Sequence, residues 1–175
     1  MWNNPDLYVY HGTSLPSAEG MRGAEGSTTH AIDLTRCRPA LDFGHCFYVT
    51  TRLDQAIAWA NRPHRLYERK GRRGRRPDPA AVIRFRVRRD DLAALEDLVF
   101  TDPDGGAQFF AFTKHCRDGQ NPANGRARPY AVIAGPVLAW PNDVTIPRMD
   151  QIGFTDAALN ILLEPVILRT GTPTI

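Results

Sequence analysis

The chain has 175 residues, of which 42% are hydrophobic and 23% charged. This balance is typical of a globular protein, and the length suits one domain spanning residues 1–175. No stretch approaches the ~20 apolar residues of a membrane span, and the N-terminus lacks the features of a signal peptide. We therefore expect a cytoplasmic location, in the producing cell or in a target cell. Three cysteines without metal-ligand spacing argue against a disulfide framework and predict that no metal is bound.

The net charge of +3 arises from one segment. Between His64 and Pro79, seven cations stand against two acids, so this segment carries +5 and the remainder of the chain −2. Glycines interrupt the run Arg65–Arg76, and prolines flank it. Two interpretations are open. The segment is either a solvated surface connection or an electrostatic contact to nucleic acid or to an acidic partner.

The first elements in chain order are two short strands joined by a long connection. Residues 7–12 are dense in aromatic and β-branched side chains, which predicts a strand. Residues 13–41 show no sustained periodicity, so we expect a surface connection there. A second strand is predicted at 45–50, after a turn at Asp-Phe-Gly, 42–44.

A helix follows the second strand. Thr51 is predicted as its N-cap, with Asp54 completing a near capping box. The apolar residues at helical spacing form the expected buried stripe: Leu53, Ala56, Ile57 and Ala60. At ~100° per residue, Trp59 lies roughly 110° from the centre of that stripe, where it could line a cleft.

The second half of the chain mixes strands and helices. Residues 81–87 alternate apolar side chains with arginine, the pattern of a half-buried strand. The remaining predictions are helices at 90–98 and 156–163, strands at 130–138, 151–154 and 166–168, and either a strand or a helix at 108–116. Without regular βαβ alternation, the pattern predicts an α+β domain with largely antiparallel sheets.

Common enzyme signatures are absent, and the Asp-Phe-Gly tripeptide lacks the other kinase motifs. Three segments stand out instead: Tyr-His-Gly at 10–12, Phe-Gly-His-Cys-Phe-Tyr-Val-Thr at 43–50, and Gln-Ala-Ile-Ala-Trp-Ala at 55–60. Here the chain resembles the ADP-ribosyltransferase superfamily, in the His–Tyr–Glu division of diphtheria-like toxins and poly(ADP-ribose) polymerases. It is most similar to a bacterial and phage branch. The resemblance implies a single-domain ADP-ribosyltransferase-like fold, in which two packed, mostly antiparallel sheets with flanking helices form an NAD⁺ cleft.

The resemblance also implies roles for individual residues. His11 would hydrogen-bond a ribose hydroxyl of NAD⁺, and Gly12, with Thr13 beside it, would let the backbone approach the nicotinamide carboxamide. Tyr48 would pack on the nicotinamide, and Trp59, eleven residues later, would close the aromatic sandwich. Catalysis would then require positioning of NAD⁺ and stabilisation of the charge that develops on its ribose.

The third catalytic position holds glutamate in the wider division but falls on Gln151 here. Glutamine can hydrogen-bond a ribose but cannot act as a base, so single transfers are expected rather than polymers. Asp150 is the alternative, although it should face the opposite side of the strand. Arg36 and Arg38 would contact the NAD⁺ diphosphate. Cys46 replaces a glycine of the relatives, and we expect a buried, unreactive thiol.

The predicted function is mono-ADP-ribosyl transfer from NAD⁺, with nicotinamide release, to a protein or nucleic-acid acceptor, as in a bacterial toxin or effector. An NAD⁺ glycohydrolase, with water as the acceptor, is a second enzymatic alternative. A third is a non-catalytic NAD⁺-binding or partner-binding module that lost the glutamate. Gln151 facing away from the cleft would favour this last alternative.

Overall fold

A computed structural model describes residues 4–120 and 126–169. In chain order, the strands are β1 (Leu7–Ser14), β2 (Phe47–Val49), β3 (Ala80–Val87), β4 (Asp97–Val99), β5 (Val132–Leu138), β6 (Thr145–Phe154) and β7 (Leu163–Arg169). The α-helices are α1 (Leu15–Arg22), α2 (Leu53–Ala60), α3 (Arg62–Arg69), α4 (Arg89–Ala93) and α5 (Gly106–Arg117). Short 3-10 helices cover Leu34–Arg36 and Asp156–Ile161. The α+β class with two mostly antiparallel sheets is confirmed.

The chain divides into two compact units, each built on one sheet. The three-stranded unit holds Asp6–Ile32, Thr50–Val87 and β7, with the strand order β1-β3-β7. The four-stranded unit holds Asp33–Val49 and Arg88–Ile161, with the order β2-β6-β5-β4. The assignment of residues 1–175 to one domain stays a prediction.

The central strand of the three-stranded unit matches its predicted pattern. β3 pairs antiparallel with β1 on one side and with β7 on the other. Ile83, Phe85 and Val87 are fully buried, whereas Arg84 and Arg86 are half-buried. Side chains alternate between the two faces of a strand, so one face of β3 supplies core, whereas the other carries the buried Val82 before the two arginines.

The predicted structureless connection at 13–41 is wrong for its first part, because α1 begins directly after β1. Ser14 caps α1, and its side-chain oxygen accepts a hydrogen bond from the amide of Ser17. Pro16 lies in the first turn, where its missing N–H costs nothing. A serine followed by an early proline is a start signal for a helix, and it was available in the sequence.

Helix α2 exists as predicted, but its cap and its buried face differ. Arg52, not Thr51, occupies the N-cap, and Asp54 pairs with the Arg52 side chain at 2.7 Å. Ala56 and Ala60 are buried, as expected, together with Gln55. The large members of the predicted stripe are partly exposed instead, Leu53 at 39% and Ile57 at 37%. The buried face is thus rotated away from the large apolar residues, toward alanines that allow a close approach.

The cation-rich residues between His64 and Pro79, predicted as a surface connection, are only partly a loop. Their first part belongs to α3, with Pro63 in the first turn, and turns follow from Gly71 onward. Pro63 suggests a surface connection, but proline is also common in the first turn of a helix, where its missing N–H has no partner to lose.

The four-stranded unit is built around aromatic rings. β4 runs parallel to β5, whereas β5–β6 and β2–β6 are antiparallel. The β5–β6 register shifts between Pro136 and Leu138, next to a proline that cannot donate a hydrogen bond to the ladder. The buried core and the rings packed against it include Phe43, Cys46, Phe100, Phe109, Phe112, Cys116 and Ile133.

One prediction in this unit is wrong, and another that left two alternatives open is resolved by the structure. The helix predicted at 90–98 ends at Ala93, and residues 97–99 form β4, because they pair with β5. The ambiguous segment 108–116 is helical and belongs to α5. Phe109, Phe112 and Cys116 are buried at intervals of three and four residues, so a helical period fits their burial.

Candidate functional site

In the three-stranded unit, two of the three singled-out segments lie against each other. Tyr10 and Thr50 exchange backbone hydrogen bonds of 2.8 and 2.9 Å, which hold the start of the α2 segment beside β1. A Cβ at Gly12 would lie 2.0 Å from the carbonyl oxygen of Ala56 and 2.9 Å from the amide nitrogen of Ala60. The absence of a side chain at Gly12 therefore lets the α2 backbone approach the strand closely. This gives Gly12 a packing role besides its proposed ligand role.

His11 and Thr13 lie on the opposite face of β1 from Gly12, because successive side chains alternate. His11 pairs with Ile83 of β3, and Thr13 pairs with Ala81. Both side chains are half-buried. The face that carries His11 also carries the buried Val9. His11 therefore lies on the face of β1 that also supplies core.

Trp59 is on α2 and is 38% exposed. The guanidinium carbon of Arg62 lies 5.1 Å from its ring centroid, a cation–π arrangement. On the helical wheel, Trp59 falls between the buried Gln55 and Ala56, because the buried face is rotated from its predicted position. The predicted centre of the buried stripe is therefore wrong, but Trp59 is exposed, as a residue that lines a cleft would be.

Tyr48 closes the Asp-Phe-Gly turn in the four-stranded unit. Its hydroxyl donates to the carbonyl of Gly44 at 3.0 Å and accepts from the amide of Phe43 at 2.8 Å. Its ring is stacked with Phe43, with centroids 6.1 Å apart. Burial raises the pKa of the phenol far above its usual value, so the hydroxyl stays neutral. The hydroxyl of Tyr48 is therefore engaged within the turn, and its ring packs against the core.

Gln151 is buried in a polar network. Its amide nitrogen donates to the carboxylate of Asp42 at 2.6 Å and to the carbonyl of Pro136 at 2.9 Å. The same carboxylate accepts from Arg117 Nε at 2.7 Å and from the amide of Leu138 at 3.2 Å. Asp42 therefore orients the side chain at the proposed third position.

Asp42 is the residue that sequence reasoning missed. It was considered only as part of a kinase-like tripeptide, yet it is 3% exposed and paired with Arg117. A buried carboxylate needs such a partner, because desolvation of an unpaired charge is costly. The sequence neighbour of Asp42, Phe43, belongs to the core, and this position could have indicated that Asp42 is buried. No local pattern, however, identifies Arg117 or Gln151 as its partners.

The remaining candidates lie on the surface or at an edge. Arg36 ends the 3-10 helix Leu34–Arg36, and Arg38 follows it; both side chains are exposed. Neither forms an ion pair within the described residues 4–120 and 126–169. Asp150 is half-buried and pairs with Pro136 across β5 and β6. It points to the face of β6 opposite that of Gln151, as expected.

Cys46 is fully buried, and its thiol donates to the carbonyl of Phe43 at 3.3 Å. A Cβ at Gly153 on β6 would lie 3.0 Å from the Cβ of Cys46, so Cys46 fits against a glycine. Burial raises the pKa of the Cys46 thiol to about 12. The prediction of a buried thiol is confirmed.

The predicted residues are divided between the units. His11, Gly12, Thr13 and Trp59 belong to the three-stranded unit, and Arg36, Arg38, Tyr48, Asp150 and Gln151 to the four-stranded unit. In the part of the chain that the structure describes, no cluster of His, Cys, Asp or Glu could hold a metal ion. Among the same residues, no helix is both long and apolar enough to span a bilayer.

Comparison with known proteins gives one family. Residues 24–152, most of the chain, match the model of a family described as "Protein of unknown function (DUF3990)". No curated protein and no solved structure matches the chain.

Proposed function

The chain belongs to the DUF3990 family of proteins of unknown function, and we propose that it is a mono-ADP-ribosyltransferase with an ADP-ribosyltransferase-like fold. It would transfer one ADP-ribose from NAD⁺ to a macromolecular acceptor, as a bacterial toxin or effector. NAD⁺ is the co-substrate, and no metal is required by the proposed chemistry.

The observation that carries the proposal is that two of the three singled-out segments lie against each other in the three-stranded unit. Tyr-His-Gly at 10–12 lies against the helix that carries Gln-Ala-Ile-Ala-Trp-Ala, through the contact of Gly12 with Ala56. In the other unit, Asp42 of the Asp-Phe-Gly turn holds Gln151 at 2.6 Å. Two segments singled out by residue type are thus spatial neighbours, and the proposed third residue contacts the turn that precedes Tyr48. Both contacts support a common function.

In the proposed reaction, the protein mainly positions NAD⁺ and stabilises the charge that develops on its ribose. The bond between the ribose C1′ and the nicotinamide nitrogen breaks, and nicotinamide leaves neutral with the bonding electrons. The acceptor then bonds to C1′ and loses a proton to solvent or to a base. His11 would hold a ribose hydroxyl, and Tyr48 and Trp59 would each offer a ring face to the nicotinamide. Arg36 and Arg38 are exposed, and their guanidinium groups suit a diphosphate.

Gln151 fits an orienting role in this reaction. Its amide nitrogen is committed to Asp42 and Pro136, so its carbonyl oxygen is the atom left to accept from a ribose hydroxyl. A neutral amide adds no negative charge beside the ribose, which is consistent with single transfers rather than chain growth.

One observation favours a second candidate, a non-catalytic NAD⁺-binding module. The polar contacts of Gln151 are those of a structural residue, because its amide belongs to the buried Asp42–Arg117 network. In such a module NAD⁺ would bind without release of nicotinamide.

The test incubates the purified full chain with NAD⁺ labelled in the adenylate phosphate, with and without cell lysate. Free nicotinamide and macromolecular label are measured, and samples are digested separately with protease and nuclease. His11→Ala and Trp59→Ala should each lower nicotinamide release about tenfold or more, since ~1.4 kcal/mol of lost transition-state binding is tenfold in rate.

Matched controls come from the same unit. His64→Ala removes a histidine whose Nε2 contacts the carbonyl of Asp78. Tyr8→Ala removes an exposed ring whose centroid lies 4.8 Å from the guanidinium carbon of Arg84. Both should retain wild-type turnover. Release without macromolecular label would identify a glycohydrolase, and binding without release would identify the module. Full turnover in His11→Ala and Trp59→Ala would overturn the assigned site.

A further inference from the structure

Residues 62–79, here called the basic segment, concentrate positive charge on the three-stranded unit. Eight cations stand against Glu68 and Asp78, so the segment carries +6, counting Arg62 of α3. Seven of the eight cations are arginines, with Lys70 the exception. All eight are exposed. An exposed cluster of one sign attracts a polyanion rather than a neutral partner.

The two acids neutralise only a small part of this charge. Arg72 pairs with Glu68 at 2.9 Å, and Arg75 lies 3.7 Å from Asp78. Within the described residues, the other six cations of the segment form no ion pair. Arg62 lies over the Trp59 ring, and Arg65 donates to the carbonyl of Ala58 at 2.7 Å. Arg69, Lys70, Arg73 and Arg76 remain. These four charges face solvent without compensation and are available to an anionic ligand.

The helical part of the segment presents arginines in a row. Arg62, Arg65 and Arg69 follow the i, i+3, i+7 spacing that places residues on one helix face. At ~1.5 Å per residue this row is about 10 Å long. A nucleic-acid strand carries one phosphate per ~3.4 Å of duplex axis, so the row spans about three phosphates.

The part of the segment after α3 is held in place rather than trailing. The amides of Gly71 and Arg72 donate to the carbonyls of Glu68 and Tyr67 at 2.9 and 3.0 Å, which closes the helix end. Farther on, the His64 ring contacts the Asp78 carbonyl at 2.9 Å. Positive φ angles at Gly71, Arg72 and Gly74 turn the chain back between these anchors. The cations are therefore gathered on an anchored loop, and binding need not order a free chain.

We propose that the basic segment binds the phosphate backbone of a nucleic acid. Arginine dominates, and its planar guanidinium contacts phosphate bidentately. Residues 68–79 contain no apolar side chain other than proline, so the loop lacks the buried anchors typical of protein interfaces. This binding is independent of the proposed transfer, although it would bring a nucleic-acid acceptor to the enzyme if both hold.

The test measures fluorescence anisotropy of a labelled 20-base-pair DNA duplex and a 20-nucleotide RNA across 50–200 mM salt. The test variant replaces Arg69, Lys70, Arg73 and Arg76 with glutamine. If all four side chains contact phosphates, the plot of the logarithm of the binding constant against the logarithm of the salt concentration should be shallower for the duplex. The slope should change by about 3 to 4, since each phosphate contact contributes ≈ 0.9. Affinity at low salt should fall at least tenfold.

The control variant replaces four exposed cations outside the basic segment, Arg88, Lys114, Arg126 and Arg148, with glutamine. It has the same net charge as the test variant and should keep the wild-type slope. The proposal is overturned if the test variant binds as the wild type does, if the control weakens binding equally, or if poly-glutamate competes as well as nucleic acid. Nicotinamide release without acceptor should be unchanged in the test variant, so failure here is distinguishable from failure of the proposed function.

Discussion

At the scale of residues, the carboxylate of Asp42 gathers donors from three segments of the four-stranded unit. Arg117 of α5, the amide of Leu138 on β5 and the side chain of Gln151 on β6 all donate to it. Burial makes each of these hydrogen bonds costly to lose, because an orphaned polar group would pay its full desolvation penalty. The network thus fixes Gln151 for structural reasons, whatever its further role.

Gln151→Glu should destabilise the protein at neutral pH by about 1–3 kcal/mol, because the amide donor becomes a second carboxylate facing Asp42. The like charge raises the folded-state pKa of the new Glu above its unfolded value of ≈ 4.3. The folded state then binds the extra proton, so stability falls as pH rises above ≈ 4.3 and recovers on acidification. Urea unfolding at pH 5 and pH 8 measures this.

The control is Gln108→Glu, which changes an exposed glutamine near the N-terminus of α5. A carboxylate is favourable there, so stability should hold or rise slightly. A Gln151→Glu protein as stable as wild type at pH 8 would mean that Gln151 does not face Asp42 as described.

At the scale of elements, β1 and α2 approach each other closely in the three-stranded unit. Small side chains make this possible: Gly12 on the strand, and Ala56 and Ala60 on the helix. The helix turns this small face to the sheet and leaves Leu53 and Ile57 partly exposed. Shape therefore outweighs side-chain hydrophobicity in setting the rotation of α2, because close backbone approach gains many dispersion contacts.

Gly12→Ala should cost about 1–3 kcal/mol, the range for overpacking, because the new Cβ meets backbone atoms of Ala56 that only a shift of α2 can relieve. The free energy of unfolding from urea titration measures it. Gly20→Ala is the matched control, since Gly20 lies within α1 and a Cβ there meets nothing within 4 Å. It should be neutral or stabilising by up to ~1 kcal/mol. If Gly12→Ala leaves stability unchanged but abolishes NAD⁺ binding, Gly12 serves ligand binding and not the packing of α2.

At the scale of the whole molecule, net charge and stability respond to different groups. The positive net charge depends on the basic segment, whose cations are exposed and contribute little to stability. Two buried thiols, Cys46 and Cys116, instead link stability to alkaline pH, because burial raises the pKa of each to about 12.

Unfolding would return these thiols to an ordinary pKa near 8.5. Between about pH 9 and 12 the unfolded chain loses protons that the folded chain keeps, so stability should fall as pH rises through this window. The expected slope is up to about 1.4 kcal/mol per pH unit for each thiol. Urea unfolding at pH 8, 9 and 10 tests it, with Cys46→Ala/Cys116→Ala as the comparison. Equal pH slopes in the two proteins would contradict the prediction.

The sequence by itself determined the fold class, the strands at 7–12 and 81–87 and the existence of α2. These features depend on local periodicity and on β-branched content, which a short window contains.

Only the tertiary structure decided which face of α2 is buried, that 97–99 is a strand and that Gln151 faces Asp42. Each of these depends on a partner far along the chain: Gly12 for α2, β5 for residues 97–99, and the Asp42 carboxylate for Gln151. The free energy of such a choice lies in contacts between distant segments, and no local window of sequence contains both partners.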